Sequence, residues 1–472
     1  MPRLGSLALR FALCALLVGL ACSRAPAKRP NLVLVVIDTL RADRMALYGH
    51  DQPNTPALEA WAKGGTVWDT CYAPAPWTVP SMSMLMSGRQ VMRRVGFSDA
   101  DRVPLAEHLA KHGYRCGAVV ANALLRAQNG WNRGFESYVQ DDGTRQKTFD
   151  DGWPGAEVVA KGLQWLDGRG EQPFFLYLHL LDPHHPYKPY AQPGGPEFKP
   201  KRTIERRERF RSILPEARRA QLSDDAYLGI EQRIAAYDSE IFEADQALAQ
   251  LFAYLDKANL SEDTLVVVTS DHGECLWERE APKTQRGRGL SHFPQLFSGH
   301  GEVVYEELLR VPLLMRGPGV PAGARAKQHA SLLDIVPTVL SLLDVPTLGR
   351  SDGRVLDPRA ADVPPERVAY FTHTCALTEN GRWKLHLGKG RREAKELFPP
   401  ELYDLVSDPH ERAPIADPAR ISAMQARLEQ WMVEWDDKAA PLNEQDRAAM
   451  RALGYLGQDE RGDGMGAEPD ED

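Results

Sequence analysis

The chain has 472 residues, which at roughly 150 residues per domain corresponds to about three domains or to one large domain with a smaller appendage. Hydrophobic residues make up 43% and charged residues 26%, which excludes a disordered chain, a collagen and a multispanning membrane protein. The formal net charge of −8 argues against nucleic-acid binding, because such proteins usually carry a basic surface.

The first 22 residues have the pattern of an export signal. Arg3 and Arg10 precede the apolar run FALCALLVGLA, which is short for a membrane span and typical of a secretory signal. The run ends at Cys22, which resembles the acylated cysteine of a bacterial lipoprotein signal. A plain signal peptide and an uncut anchor are the alternatives. We therefore expect an exported protein in the periplasm or at the cell surface, touching the membrane only through an N-terminal lipid anchor.

Cysteine usage gives little further information. The six cysteines are too few for a disulfide scaffold in a chain of this length. None of the four that follow Cys22 forms a Cys-x-x-Cys pair, which argues against a structural zinc site. An export compartment permits disulfides, but the spacing does not predict any pairing.

Short apolar runs alternate with amphipathic segments along most of the chain. The predicted strands are 32–37, 115–121, 174–181, 264–269 and 311–315, and the predicted helices are 55–63, 104–112, 156–167 and 228–258. Continuous apolar strands are typical of a sheet that is covered on both faces. The alternation therefore predicts an α/β fold with a large, mostly parallel sheet sandwiched by helices.

The C-terminal part has a different pattern. Residues 365–412 lack the helical period and contain strand-like segments at 382–387 and 401–405, which predicts a small subdomain with a short antiparallel sheet. The acidic, glycine-rich end is predicted to be disordered. The predicted units are a signal at 1–22, a large α/β domain at 30–360, a C-terminal α+β subdomain at 361–456 and a tail at 457–472.

Three aspartates follow predicted strands: Asp38, Asp182 and Asp271. Binding sites in parallel sheets form at the carboxyl ends of strands. Asp38, Asp271 and the adjacent His272 are suitable ligands for a divalent cation. Each residue alone fits equally well as a strand-end cap or a surface residue, and only their joint occurrence favours a metal site.

A hydroxyl precedes a predicted short helix between Pro80 and Gly88. Thr78 would lie just before the N-terminus of this helix, where backbone N–H groups and the helix dipole favour an anion. Beside a cation, such a hydroxyl is a good nucleophile toward an oxyanion ester. The local residues alone favour a simpler role for Thr78 as the N-cap of the helix.

Nine stretches occur in one order over about residues 30–412: RPNLVLVVIDTLRADRMALYG, NTPALEAWAKGG, APAPWTVPSMSMLMSGR, LDPHHPYKPY, TLVVVTSDHGE, SGHGEVVYEELLRVPLLMRGPG, SLLDIVPTVLSLL, RWKLHL and ELYDLVSDPHE. Together they resemble the sulfatase family of the alkaline phosphatase superfamily. The resemblance implies a large mixed α/β domain with one metal site, followed by a small C-terminal domain around a short antiparallel sheet.

The resemblance also implies roles for individual residues. Asp38, Asp271 and His272 match positions that bind the metal, usually calcium in sulfatases and manganese or zinc in relatives. Thr78 matches the nucleophile, and His184 matches a residue near the transferred group and the leaving oxygen. His300 falls close to a basic position that contacts the anion.

Three positions depart from the family pattern. Sulfatases carry a Cys or Ser at the position of Thr78, oxidised to formylglycine, and an Arg at the position of Met82. Many have a second Asp ligand where this chain has Thr39. These changes agree with one another, and we expect no formylglycine. A sulfated threonine has no elimination route, whereas a phosphorylated threonine can be cleared by in-line attack at phosphorus.

The sequence therefore predicts a sulfatase-family hydrolase, dependent on one divalent metal ion (Ca, Mn or Zn), that cleaves a sulfuric or phosphoric ester with unmodified Thr78. His184 or His300 would assist the leaving group as an acid if its surroundings keep it protonated. The expected substrate is an anionic ester of a sugar, lipid or small molecule.

Two alternatives stay open at this point. The first is a phosphodiesterase or phosphoryl transferase acting on an envelope or lipid substrate, as in relatives that use a threonine nucleophile. The second is a catalytically inactive sulfatase-like protein that retains an anion pocket. The segment around Asp182 and His184 does not supply the extra ligands of a two-zinc site, which favours one metal.

Overall fold

The protein is described here by a computed structural model. It covers residues 29–90, 97, 102–141, 152–189, 197–201, 203–213, 216–219, 223–280, 296–301, 303–360, 366–371, 374–389 and 396–433. The predicted signal at 1–22 and the predicted tail at 457–472 lie outside these residues.

The described residues form seventeen strands and ten α-helices. The strands are β1 (Asn31–Ile37), β2 (Thr66–Trp68), β3 (Cys71–Tyr72), β4 (Arg115–Val120), β5 (Ser137–Gln140), β6 (Phe174–Leu180), β7 (Thr264–Ser270), β8 (Cys275–Glu280), β9 (Leu296–Gly299), β10 (Arg310–Val311), β11 (Leu313–Arg316), β12 (Ala324–Ala326), β13 (Ala330–Ser331), β14 (Arg367–Phe371), β15 (Thr374–Glu379), β16 (Trp383–Lys389) and β17 (Glu396–Asp404). The helices are α1 (Pro56–Ala62), α2 (Thr78–Ser87), α3 (Leu105–Lys111), α4 (Gly155–Asp167), α5 (Ile204–Ile213), α6 (Glu216–Arg219), α7 (Asp224–Lys257), α8 (Glu306–Leu309), α9 (Ile335–Leu342) and α10 (Pro418–Val433).

Eight strands build the central sheet, in the order β12-β2-β11-β7-β1-β6-β4-β5. The five strands from β7 to β5 are parallel, and β11 runs antiparallel to both of its neighbours. The carboxyl ends of β7, β1, β6 and β4 therefore lie side by side at one edge of the sheet. This confirms the predicted α/β class with a mostly parallel sheet.

Helices cover both faces of this sheet, as the continuous apolar strands predicted. Successive residues of β1 point to opposite sides, so that Leu32, Leu34 and Val36 join one hydrophobic core and Val33, Val35 and Ile37 join the other. Helices α2, α3 and α9 contribute to the first core, and α1, α4 and α7 contribute to the second. The strands at the centre of the sheet are consequently fully buried.

A second, antiparallel sheet of β14-β15-β16-β17 lies in the C-terminal part and packs against α10. Its core contains Leu377, Leu385 and Leu402 from the strands and Met424 and Leu428 from the helix. The small antiparallel sheet predicted for this region is thus present. Its boundary at residue 361 stays a prediction.

Most predicted elements shift by one or two residues, and three differ by more. The predicted strand 401–405 is the end of the longer strand β17 (Glu396–Asp404). The predicted strand 311–315 is interrupted at Pro312 into β10 and β11, because proline has no N–H to donate to a sheet. The long helix begins at Asp224 instead of 228, where the Ser223 side chain accepts a hydrogen bond from the N–H of Ala226. In the described part of the chain, no helix has both the length and the apolar character needed to cross a membrane. The four described cysteines are buried.

Candidate active site

Four neighbouring strands of the central sheet supply the polar residues of the candidate site. Asp271 follows β7, Asp38 follows β1, His179 is the penultimate residue of β6, and Asn122 comes two residues after β4. These strands are adjacent in the order β7-β1-β6-β4. Residues that lie far apart in sequence therefore meet at one edge, as expected for parallel strands.

Asp38, Asp271 and His272 form a group whose potential ligand atoms all lie within 4.8 Å of one another. Nε2 of His272 is 3.9 Å from Oδ1 of Asp38 and 3.3 Å from Oδ2 of Asp271. Both carboxylate oxygens are buried and have no hydrogen-bond partner among the described residues. The three residues fit a divalent cation, because two orphaned carboxylate oxygens and an imidazole nitrogen converge on one point.

The imidazole of His272 is oriented so that the lone pair of Nε2 faces the carboxylates of Asp38 and Asp271. Its Nδ1 lies 2.9 Å from the carbonyl oxygen of Gly273. A carbonyl only accepts, so Nδ1 carries the proton and donates, and Nε2 is left as the unprotonated nitrogen. This is the tautomer that a metal ligand requires.

The pKa values of the Asp38 and Asp271 carboxyl groups are shifted in opposite directions. Burial raises the pKa of Asp38, but the hydrogen bond with His179 and the nearby imidazoles outweigh it and hold that pKa well below its usual range. Burial and the charge of Asp38 raise the pKa of Asp271 to about 7. The site thus concentrates negative charge away from water, and a bound cation would neutralise it.

The loop that carries His272 is held by the short helix α8. Gly273 N–H donates to the carbonyl of Leu308 over 2.8 Å, and Glu274 N–H donates to the carbonyl of Glu307 over 3.1 Å. A Cβ atom at position 273 would lie only 2.0 Å from the Glu307 carbonyl oxygen. Glycine is needed here for this close backbone approach.

Thr78 lies against the candidate metal group of Asp38, Asp271 and His272, and its position corrects the predicted N-cap role. Helix α2 begins at Thr78 itself, with Trp77 as the N-cap, and the described structure shows no side-chain capping bond there. The Thr78 hydroxyl is fully buried and lies 3.1 Å from Nε2 of His272. The N-cap role is therefore wrong. The predicted end of the helix is confirmed at Gly88, whose φ of 62° is left-handed.

His184 and His300 also lie at this site. The ring of His300 is centred 4.4 Å from the ring of His272 and 5.1 Å from that of His184. Burial lowers the pKa of His184, and it lowers the pKa of His300 to about 4. In the free protein both imidazoles are therefore neutral at pH 7, and the condition for a resident acid is not met.

Asp182 does not join this group, although it also follows a strand. Its Oδ2 accepts a hydrogen bond of 2.6 Å from the N–H of Gly155, at the first residue of α4. The carboxylate thus accepts a hydrogen bond from the N-terminus of α4, where the helix dipole favours a negative charge. Of the three strand-end aspartates, only Asp38 and Asp271 contribute to the site.

Two of the departures from the family pattern can be described at atomic level. Met82 is fully buried in the hydrophobic core, where the family motif has an arginine. Thr39 has a φ of 56°, unusual for a β-branched residue, and donates its N–H to Oδ1 of Asp271 over 3.2 Å. Its hydroxyl has no hydrogen-bond partner among the described residues. Position 39 thus supports Asp271 through its backbone.

Four polar residues near the site were not predicted from the sequence: Asn122, His179, Tyr177 and Glu274. Nδ2 of Asn122 and Nε2 of His179 lie 2.7 and 3.1 Å from Oδ2 of Asp38. Oε1 of Glu274 lies 3.0 Å from Nδ1 of His300. One signal was available in the sequence: His179 is a polar residue inside an otherwise apolar strand, FFLYLHL.

A second group of potential ligands, Cys275, Glu278 and Glu307, does not fit a metal in the same way. Glu278 forms an ion pair with Arg41 at 2.9 Å, and Glu307 forms one with Arg279 at 2.6 Å. Both carboxylates already have cationic partners, so this cluster is an ion-pair network.

The raised pKa of Asp271 predicts how stability depends on pH in the metal-free protein. Between about pH 4 and 7 the folded protein retains a proton that the unfolded chain releases, so this contribution to stability is lost as pH rises through that window. In Asp271→Asn the side chain is neutral at every pH in this range, so this pH-dependent loss of stability is absent. We expect the melting temperature of this variant to exceed that of the metal-free wild type by roughly 2 °C or more at pH 8, with a smaller difference at about pH 5. Thermal denaturation in a chelator at several pH values measures this, and a difference that does not change with pH would contradict it.

The fold and the site together define a class of protein. The sequence model of the sulfatase family matches residues 30–345, and the chain belongs to this family of ester hydrolases, within the alkaline phosphatase superfamily. Arylsulfatase K of Gallus gallus is 26% identical, in an alignment covering 85% of this chain and 82% of the relative. Arylsulfatase A of Homo sapiens is also 26% identical, with 84% and 85% covered.

Solved structures share the same fold at lower identity. A protein in complex with its substrate D-glucosamine-2-N,6-O-disulfate has a TM-score of 0.65 and 18% identity, covering 89% of this chain and 99% of that one. The phosphonate monoester hydrolase of Agrobacterium radiobacter has a TM-score of 0.62 and 19% identity, covering 86% and 95%.

Proposed function

We propose that the protein hydrolyses a singly charged ester of phosphorus by direct attack of unmodified Thr78 beside one divalent cation. The observation that carries this proposal is the approach of the Thr78 hydroxyl to 3.1 Å from Nε2 of His272, within the group formed with Asp38 and Asp271. These three residues would hold the cation. When bound, it would lower the pKa of a nearby hydroxyl and neutralise charge on the transferred group.

We propose that His184 or His300 accepts the proton of Thr78. Nδ1 of His184 donates to the carbonyl of His185 over 2.7 Å, which leaves its Nε2 as the basic nitrogen. Such a neutral imidazole accepts the proton as the bond from Oγ1 of Thr78 to phosphorus forms and the bond to the leaving oxygen breaks. The resulting imidazolium, on His184 or on His300, then protonates the leaving oxygen. Attack of water on phosphorus afterwards regenerates Thr78.

Phosphorus is favoured over sulfur by the chemistry of an unmodified threonine. A formylglycine hydrate expels sulfate by elimination, and Thr78 has no equivalent route. A threonine phosphoester is cleared by a second in-line attack. Met82 supports this reading, because the arginine of the formylglycine motif is replaced here by an apolar side chain in the core.

The charges at the site favour a substrate group with a single negative charge. In the described part of the chain, the largest charge effects on Asp38, Asp271, His184, His272 and His300 come from these residues, His179 and Glu274, and no Lys or Arg is among them. Two carboxylates already balance a divalent cation. Like charges about 4 Å apart repel by roughly 4 kcal/mol at an effective dielectric constant of about 20. A phosphodiester or phosphonate monoester is thus preferred to a doubly charged phosphomonoester.

A panel of nitrophenyl esters tests this proposal. With Mn²⁺, Zn²⁺ or Ca²⁺ added, we expect kcat/KM for bis(p-nitrophenyl) phosphate or p-nitrophenyl phenylphosphonate to exceed that for p-nitrophenyl phosphate by at least about 100-fold. Thr78→Ala is the control for contaminating activity. Fastest turnover of the phosphomonoester would contradict the charge argument.

A sulfuric ester is the second candidate, and family membership favours it. The curated relatives include arylsulfatases, and one structural neighbour was solved with a disulfated glucosamine. p-Nitrophenyl sulfate in the same panel separates the two candidates. If it is the fastest substrate, the preference for phosphorus is wrong while the singly charged class is retained.

We also propose that the enzyme works outside the cytoplasm on an envelope ester. The signal-like pattern of residues 1–22 supports export, and Cys22 would carry the anchor in the lipoprotein form. The catalytic unit is proposed to span residues 30–360, with the C-terminal subdomain at 361–456.

A further inference from the structure

We infer that Tyr177, His179 and Asn122 form a positioning relay that decides which oxygen of Asp38 faces the cation. The inference rests on the cation site of the proposed function and concerns residues outside the ligand group. The relay is defined by the contacts of His179 and Asn122 with Asp38 and by the contact of Tyr177 with His179.

Both donors of the relay act on one carboxylate oxygen. Oδ2 of Asp38 lies 2.7 Å from Nδ2 of Asn122 and 3.1 Å from Nε2 of His179. Oδ1 of the same carboxylate has no hydrogen-bond partner among the described residues. Two donors therefore hold Oδ2, and Oδ1 is the oxygen left for a cation.

The direction of each hydrogen bond follows from the chemistry of its partners. An ionised carboxylate only accepts, so Nε2 of His179 must carry the proton that it donates to Asp38. Nδ1 of His179 is then an acceptor, and it lies 2.7 Å from the hydroxyl of Tyr177, which must donate. Tyr177 consequently selects the tautomer of His179 that Asp38 needs.

The second donor is fixed in the same way. The side-chain oxygen of Asn122 accepts a hydrogen bond of 2.9 Å from the N–H of Leu124. This contact determines which end of the amide is the oxygen, so the NH₂ group faces Asp38. The orientation of the amide is thus set by the chain just after β4.

The arrangement is built into the sheet. Tyr177 and His179 are two residues apart in β6 and lie on the same face, and both are fully buried. In the parallel register His179 pairs with Val36 of β1 and Val120 of β4. The relay therefore lies under the carboxyl ends of three adjacent strands and contacts the candidate metal group at Asp38.

The test compares Tyr177→Phe with Tyr114→Phe as a matched control. Tyr114 is also buried, and its hydroxyl donates to the carbonyl of Pro30 over 2.9 Å. Each variant loses one hydroxyl and one hydrogen bond, but only Tyr177→Phe releases the tautomer of His179. Metal-stripped proteins are titrated with Mn²⁺ by calorimetry, and melting temperatures are followed against Mn²⁺ concentration.

We expect Tyr177→Phe to weaken Mn²⁺ binding by about 10-fold or more, and Tyr114→Phe to bind as the wild type does. His179→Gln places an amide NH₂ where Nε2 was and is expected to bind more tightly than His179→Leu. Equal Mn²⁺ affinity for Tyr177→Phe and the wild type would overturn the relay. That result would leave the proposed function intact, because the nucleophile is tested separately by the turnover of Thr78→Ala. Full turnover in Thr78→Ala would contradict the proposed function and leave the relay untouched.

Discussion

Replacing Thr78 by alanine is expected to lower kcat by about 10⁴-fold or more, as removal of a nucleophile does in other hydrolases. The side chain is fully buried, and its hydroxyl lies 3.1 Å from Nε2 of His272, one of the three proposed cation ligands. Steady-state kinetics on the best ester of the substrate panel measures the effect. Binding of Mn²⁺ should persist, because Asp38, Asp271 and His272 are unchanged.

Two variants make this result specific. Thr78→Ser keeps the hydroxyl and should retain measurable turnover. Ser87→Ala removes a hydroxyl from the other end of α2, where it donates to the carbonyl of Ser83 over 2.7 Å, and should leave kcat within about 2-fold of wild type. Full activity in Thr78→Ala would show that another group attacks the substrate. Mn²⁺ binding without turnover of any ester by the wild type would favour the inactive, anion-binding alternative.

Asp38→Asn is expected to weaken Mn²⁺ binding by at least about 100-fold and to abolish turnover. Asn122 and His179 both donate to one side of this carboxylate, so the oxygen of an introduced amide would turn toward them. Its NH₂ group would then face the cation, which it cannot ligate. The substitution changes few atoms and preserves packing.

Asp245→Asn is the matched control for a buried carboxylate. Its oxygens accept 2.8 Å hydrogen bonds from the N–H groups of Ala57 and Leu58 at the start of α1. This variant should lose stability but keep the affinity for Mn²⁺. If Asp38→Asn binds Mn²⁺ as tightly as the wild type does, Asp38 is not a ligand.

The sequence was sufficient to predict the central sheet and some of the polar residues at its carboxyl edge, for a physical reason. Parallel strands buried on both faces must be apolar throughout, so β1, β6 and β7 are visible as continuous apolar runs. Polar residues that follow such runs come together at one edge. Asp38 and Asp271 were predicted on this basis, and the structure brings both together with His272.

Other features depend on contacts that no local pattern contains. Asp182 follows a strand as Asp38 does, but the start of α4 lies within reach of its carboxylate. The N-cap role of Thr78 was wrong because α2 starts at Thr78 itself, two residues before Pro80. Asn122 reaches Asp38 only because β4 pairs with β6 and β6 pairs with β1. Contacts of this kind depend on how distant segments pack in the folded chain.

Anomalous diffraction from crystals grown with Mn²⁺ examines the arrangement most directly. We predict a single strong peak bounded by Oδ1 of Asp38, Oδ2 of Asp271 and Nε2 of His272, with the Thr78 hydroxyl beside it. A peak elsewhere, or none at this position in crystals soaked at millimolar Mn²⁺, would contradict the assignment of both the ligands and the nucleophile.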